Sequence, residues 1–170
     1  MCLLPDVIAE KVTDLTPEFL KSRKIEFLML DFDNTLLPYT VNTPTSEVLR
    51  WLDGLKRAKI GLCVVSNSRK DRVKVFCKQQ NIPCITHARK PFSKGIRACL
   101  TEFGLAPERC ALVGDQIYTD VLGANSNKVQ SILVKAIHNH TVWLKLRHVA
   151  ELPWIALAKE RLTIKSQGPI

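Results

Sequence analysis

The sequence is poor in the features that mark fibrous, disulfide-stapled or membrane-spanning chains. Seven glycines and nine prolines in 170 residues, with an apolar fraction of 46%, exclude a collagen-like repeat and a disordered polymer. No stretch without a charged side chain is longer than Asn34–Ser46, and that stretch is polar and carries Pro38 and Pro44. A spanning helix needs roughly 20 apolar residues, so none is expected. The N-terminus has no basic segment followed by an apolar one, and Asp6 and Glu10 come early, which argues against a secretory signal. The six cysteines never form C-x-x-C, and Cys63 and Cys110 lie inside apolar runs. Reduced thiols in a cytoplasmic protein are therefore expected rather than a disulfide framework. Cys84 and His87 are a close Cys/His pair, but a zinc site needs a second pair and none is evident. There is no repeat, low-complexity segment or linker, and the length suits one domain over residues 1–170.

The formal net charge is +9, and it is not evenly spread. From residue 66 to 100, nine basic residues stand against Asp71 alone. A solvated helix face explains most such runs. Attraction of a polyanion, whether phosphate, nucleic acid or an anionic lipid surface, is the functional alternative.

Short apolar runs alternate with longer amphipathic segments. Glu26–Leu30, Ile60–Val65, Ile82–Thr86, Cys110–Val113 and Gln130–Val134 read as strands buried on both faces. Thr45–Lys59 places Val48, Leu52 and Leu55 on one helix face, with Thr45 or Ser46 as N-cap. Lys70–Gln80 reads as a second helix. Phe92–Phe103 reads as a third, opened by Pro91 and stopped by Gly104. This alternation predicts an α/β fold: a three-layer, Rossmann-like parallel sheet of about five strands with helices on both faces. The Trp-rich, basic segment 141–170 is expected either to pack on the sheet as a helix broken near Pro153 or to lie at a membrane interface.

In an open α/β sheet, ligands bind beyond the carboxyl ends of the strands. The first run ends in Asp31-Phe32-Asp33-Asn34-Thr35, so two carboxylates at i and i+2 leave a strand end on one side. The second ends in Ser66-Asn67-Ser68, the third is followed by Arg89-Lys90-Pro91, and the fourth by Gly114-Asp115 with Asp120 beyond. Hard carboxylate oxygens suit Mg2+, which would offset their mutual repulsion. A hydroxyl at Ser66 and an ammonium at Lys90 suit phosphoryl oxygens, with Arg89 and Lys94 as rivals for the Lys90 role. If Pro91 opens a helix, its N-terminal dipole would also favour an anion near Lys90. Ser66 and Asn67 can equally be turn residues, and Asp120 an N-terminal helix charge.

D-x-D-x-T, an apolar strand ending in Ser, a Lys, and G-D-x-x-x-x-D, in that order over residues 31–120, resemble the haloacid-dehalogenase superfamily of phosphohydrolases. The wider strings LLPD, DFDNTLLPY, A-R-K-P and GDQIYTDVLGAN resemble its YqeG-like, subclass IIIA group, which includes mitochondrial-type phosphatidylglycerophosphate phosphatases. The resemblance implies Asp31 as nucleophile and Asp33 as general acid and then base, with Thr35 supporting the loop. It implies Ser66 and Lys90 at the phosphoryl group, beside which Asn67 is a further phosphate-binding candidate. It also implies Mg2+ held by the Asp31 carboxylate, the Asp33 carbonyl and Asp115, with Asp120 an outer metal acid or a Lys90-orienting one.

Only 29 residues separate Leu36 from Ser66 and only 23 separate Ser66 from Lys90, so neither interval holds a cap domain. An open site suits a large substrate better than an enclosed metabolite. The resemblance favours phosphatidylglycerophosphate, and the basic stretch is compatible with peripheral contact on an anionic bilayer, where each Lys or Arg adds about 1 kcal/mol. A phosphatase of soluble phosphometabolites or nucleic-acid ends, and a noncatalytic basic binding module, are the alternatives. Only Phe76 and Phe92 interleave the basic stretch, so base stacking is poorly served and nucleic acid is not the expected partner.

Overall fold

A computed structural model of the chain describes residues 2–137, Trp154 and the backbone of Leu162–Ile164. Seven strands and five α-helices run along the described residues. They are β1 (Val7–Ala9), α1 (Pro17–Ser22), β2 (Phe27–Leu30), α2 (Ser46–Arg57), β3 (Gly61–Val65), α3 (Asp71–Gln80), β4 (Cys84–Ile85), α4 (Lys94–Glu102), β5 (Cys110–Gly114), α5 (Leu122–Ser126), β6 (Gln130–Val134) and β7 (Leu162–Ile164). The strands form one parallel sheet in the order β4-β3-β2-β5-β6-β1-β7.

Strand parity divides the core into two layers. Leu28, Leu30, Leu62, Val64, Ala111 and Val113 face one side, where they meet Leu20, Trp51, Leu52, Leu55, Val73 and Phe76 of α1, α2 and α3. Phe27, Met29, Cys63, Val65, Cys110 and Leu112 face the other, against Ile96 and Cys99 of α4 and Ala124 of α5. The central strands are thus apolar at every position because both faces are covered. The expected three-layer α/β architecture is present. Among the described residues, the interval from β2 to β3 holds one helix, as does that from β3 to β4, and no cap domain.

Local signals set the helix ends. The Thr45 hydroxyl accepts from Val48 N at 3.3 Å and caps α2, and Asn81 closes α3 in the left-handed region with φ 50°. The third long helix differs from expectation. It begins at Lys94 with Ser93 as N-cap, so Pro91 is not its first residue. Pro91 and Phe92 belong to the preceding turn, in which Phe92 N donates to the Arg89 carbonyl at 2.9 Å. In the same turn the Asn67 side chain bonds both backbone groups of Lys90, taking up the carbonyl that would otherwise accept the first bond of a helix opened by Pro91.

Two strands add to the five expected. β1 is only three residues long, too short to register as an apolar run. It is fixed in register by Asp6, whose Oδ2 accepts from Ser131 N at 2.9 Å and Ser131 Oγ at 3.0 Å. β7 pairs with β1 through its backbone. Trp154 packs beside Ile117, Val121 and Leu133. The rest of the 141–170 expectation lies outside the described residues. No described helix is long and apolar enough to cross a membrane, and all six cysteines are free thiols.

Gly114 ends β5 directly under Asp120, where an added Cβ would overlap the Asp120 carboxyl carbon and one of its oxygens. Gly114→Ala should lower unfolding stability by about 1–3 kcal/mol, as overpacking typically does. A denaturant midpoint equal to wild type would count against that close approach.

Candidate active site

β2 lies between β3 and β5, and the chain leaves it in one direction towards β4 and in the other towards β6. This reversal of strand order opens a crevice at the carboxyl ends of β2 and β5. Leu30 is level with Val64 on one side and Val113 on the other, and Asp31 N still donates to the Val113 carbonyl at 2.8 Å. The residues just past these levels are Asp31, Ser66 and Asp115. The sheet register therefore brings together residues far apart in sequence.

Lys90 reaches the same point from the loop after β4. Its Nζ lies 2.7 Å from Asp31 Oδ1 and 2.7 Å from Asp120 Oδ1, and its side chain is 1% exposed. That contact selects Lys90 over the exposed Arg89 and Lys94 as the ammonium of the site. Asn67, expected at the phosphoryl group, is committed elsewhere. Its Oδ1 accepts from Lys90 N at 2.7 Å and its Nδ2 donates to the Lys90 carbonyl at 2.9 Å, so it acts as a strut beneath Lys90. Ser66 is buried, and its Oγ accepts from Ser68 N at 3.1 Å. That bond makes it a turn residue and leaves its hydroxyl hydrogen for another acceptor.

Asp120 comes from a π-helical turn, Ile117–Val121, that leads into α5. Its Oδ2 accepts from Gln116 N at 3.1 Å while Oδ1 meets Lys90. Thr35 Oγ1 makes a long, 3.5 Å contact with Asp115 Oδ1. Asn34 N donates to the Leu37 carbonyl at 2.7 Å, and Asn34 adopts φ 62°, a left-handed conformation that asparagine tolerates well. This tight loop turns Asp33 and Thr35 back over the end of β2.

One carboxylate oxygen from each of Asp31, Asp115 and Asp120 lies within 4.8 Å of the others. Burial pushes the Asp31 carboxyl up to about 6, with Lys90 opposing and Asp120 and Asp33 adding to the rise. Burial, then Asp120 and Asp31, push Asp115 up to about 8. Burial opposes the Lys90 ammonium, but Asp120 and Asp31 together outweigh it and raise its pKa. The site thus concentrates more negative charge than one ammonium neutralises. Three hard oxygen donors this close fit a divalent cation, whose charge would relieve the excess. The Asp33 carboxylate is not in this trio.

Asp33 has a partner that the sequence did not single out. Arg72, in the first turn of α3, donates from Nη1 to Asp33 Oδ1 at 3.2 Å. Burial raises the pKa of Asp33, and Arg72 and Lys70 oppose the rise. In the sequence Arg72 is one of nine basic residues between positions 66 and 100, with no spacing to separate it from its solvated neighbours.

The HAD-hydrolase-like family model matches residues 87–145. The probable phosphatase YqeG of Bacillus subtilis (strain 168) is 37% identical over 131 residues, covering 77% of this chain and 76% of that protein. Among solved structures, the cobalt-bound deoxy-D-mannose-octulosonate 8-phosphate phosphatase of Haemophilus influenzae superposes with a TM-score of 0.53 at 16% identity, over 81% of this chain and 93% of that one. The 3-deoxy-D-manno-octulosonate 8-phosphate phosphatase of Yersinia pestis superposes with a TM-score of 0.54 at 17% identity, over 84% and 86%. At these identities the two structures establish a shared fold.

Without a cation, the raised carboxyl groups make stability depend on pH. Folding raises the Asp115 carboxyl from its ordinary 3.8 to about 8, through burial and then the nearby Asp120 and Asp31. Between those values the folded state holds more protons than the unfolded one, so stability falls as pH rises. Mg2+ should therefore raise the unfolding temperature, relative to EDTA, more at pH 8 than at pH 6. Asp115→Asn should abolish most of that difference. Equal Mg2+ shifts at both pH values in wild type would contradict the proton–metal competition.

Proposed function

This chain belongs to the haloacid-dehalogenase-like hydrolases and is a phosphatase, and from that premise we propose that it cleaves a phosphomonoester by way of a phosphate carried on Asp31. Its substrate on this reading is phosphatidylglycerophosphate, and its cation is Mg2+. The reading is supported chiefly by Lys90, whose buried Nζ sits 2.7 Å from Asp31 Oδ1. A nucleophilic carboxylate and a phosphate-binding ammonium thereby share the space that a phosphoryl group would enter.

In the first step an Asp31 oxygen forms the new O–P bond as the ester P–O bond breaks. The electron pair goes to the leaving oxygen, which takes its proton from Asp33. Lys90 Nζ and the Ser66 hydroxyl bind phosphoryl oxygens, with Asn67 fixing Lys90 and Asp120 orienting its ammonium. In the second step Asp33 takes a proton from water as that water attacks phosphorus and releases Asp31. A divalent cation held by Asp31, the Asp33 carbonyl and Asp115 would supply charge neutralisation for the incoming phosphate.

The lipid reading draws on the surroundings of the site. No cap encloses it among the described residues, and seven of the nine basic residues in the 66–100 stretch are exposed. Phe92, two residues from Lys90, is 74% exposed, and Tyr39 and Val41 are also exposed. Basic side chains mixed with exposed apolar ones suit the headgroup layer of an anionic bilayer, and the association would be peripheral.

Phosphate release from phosphatidylglycerophosphate in liposomes tests the reading, beside an aryl phosphate and a 3′-phosphorylated oligonucleotide, each with Mg2+ or EDTA. Mg2+-dependent release from the lipid is expected, reduced on the order of 10³-fold or more in Asp31→Asn. Cleavage of the aryl phosphate without the lipid would keep the chemistry and reject the lipid. Release from the oligonucleotide alone would move the substrate to nucleic-acid ends.

A further inference from the structure

Arg72 is held more firmly than a surface arginine. Nη1 donates to Asp33 Oδ1 at 3.2 Å and to the Tyr39 carbonyl at 2.6 Å. Nη2 donates to the Pro38 carbonyl at 2.8 Å and to the Val41 carbonyl. The guanidinium carbon lies 5.0 Å from the centre of the Phe32 ring, which packs edge-on to Phe76 at 5.3 Å. Only 10% of the Arg72 side chain is exposed. Both terminal nitrogens are thus committed to protein oxygens, which leaves Arg72 poorly placed to serve as a substrate ligand.

Each contact constrains the same short piece of chain. Phe32 precedes Asp33, and Pro38, Tyr39 and Val41 follow it. A planar guanidinium delivers its hydrogen bonds in a fixed fork, so holding three carbonyls and a ring also fixes where its Nη1 meets Asp33. Lysine cannot reproduce this, because a single ammonium presents its donors from one point.

We propose that Arg72 is a positioning residue for Asp33: it staples the Pro38–Val41 loop and thereby aims the Asp33 carboxyl at the leaving oxygen of the phosphoester. The inference rests on the acid–base role given to Asp33 above. Arg72 itself transfers no proton and touches no reacting atom. When the Asp31–phosphorus bond forms and the ester P–O bond breaks, the electron pair leaves on the ester oxygen. A poor leaving group then requires the Asp33 proton, whereas a strongly acidic phenol departs without it.

Leaving-group dependence separates this role from a merely structural one. kcat/KM is measured for a series of aryl phosphates, from dinitrophenyl to phenyl, with wild type, Arg72→Gln, Asp33→Asn and the double variant. General acids commonly contribute about 10²- to 10⁴-fold. Arg72→Gln should lose about tenfold or more on phenyl phosphate and less than about threefold on dinitrophenyl phosphate, steepening the slope against leaving-group acidity. In the Asp33→Asn background, the same substitution should cost almost nothing further on phenyl phosphate. If Arg72→Gln does not fold, Arg72→Lys carries the comparison, since it keeps the charge and loses the fork.

An Arg72 variant that slows every member of the series equally, or adds its full loss to that of Asp33→Asn, would overturn the proposal. If Asp33→Asn itself leaves the slope unchanged, the acid–base assignment falls, and the role of Arg72 falls with it. A steepened slope in Asp33→Asn but not in the Arg72 variant rejects Arg72 alone.

Discussion

Three buried carboxylates stand together at the carboxyl edge of one parallel sheet, and the Lys90 ammonium between two of them is the constraint on which the site depends. Burying one unpaired charge costs several kcal/mol, and burying three of one sign costs more. Lys90 touches Asp31 and Asp120 at 2.7 Å each, which ties β2 to the π-helical turn after β5. Asn67 in turn fixes the Lys90 backbone, and Gly114 leaves room for Asp120. The contacts form a series. Strut, ammonium, carboxylate and glycine each have a position only because the next one does. The positive charge still falls short, which is why the same geometry that costs stability without a cation suits one.

The parts legible in sequence were those that depend on neighbours in the chain. Runs such as Phe27–Leu30 and Cys110–Val113 are apolar at every position because both faces are covered, and that pattern needs no partner to be read. Parallel strands with helical crossovers put their carboxyl ends on one edge, so Asp31, Ser66 and Asp115 could be grouped from strand order alone. The illegible parts are contacts whose two members are unrelated by any period. Asn67 reads as a turn residue, and its grip on Lys90, 23 positions away, exists only once β4 lies beside β3. The helix that Pro91 is expected to open begins instead at Lys94. Strand β1 pairs through only three residues, and the contact of Asp6 with Ser131 that reinforces it spans 125 positions.

The concentration of basic residues over 66–100 divides once it is placed on the fold. Seven of its nine cations face solvent, and two turn inwards. Those two take one carboxylate each from the Asp31-Phe32-Asp33 triplet: Lys90 binds Asp31, and Arg72 binds Asp33. They arrive from different elements, Lys90 from the loop after β4 and Arg72 from the first turn of α3. Two acids at i and i+2 on one strand end would otherwise share one environment and one fate. Separate cations give them different partners: Lys90 meets Asp31 at 2.7 Å, and Arg72 meets Asp33 at 3.2 Å. Lys90 is placed by Asn67, and Arg72 by the loop that follows Asp33. The charge bias that first suggested an anionic partner thus divides in two: seven of its members face solvent, and its two inward members each hold one carboxylate of the triplet.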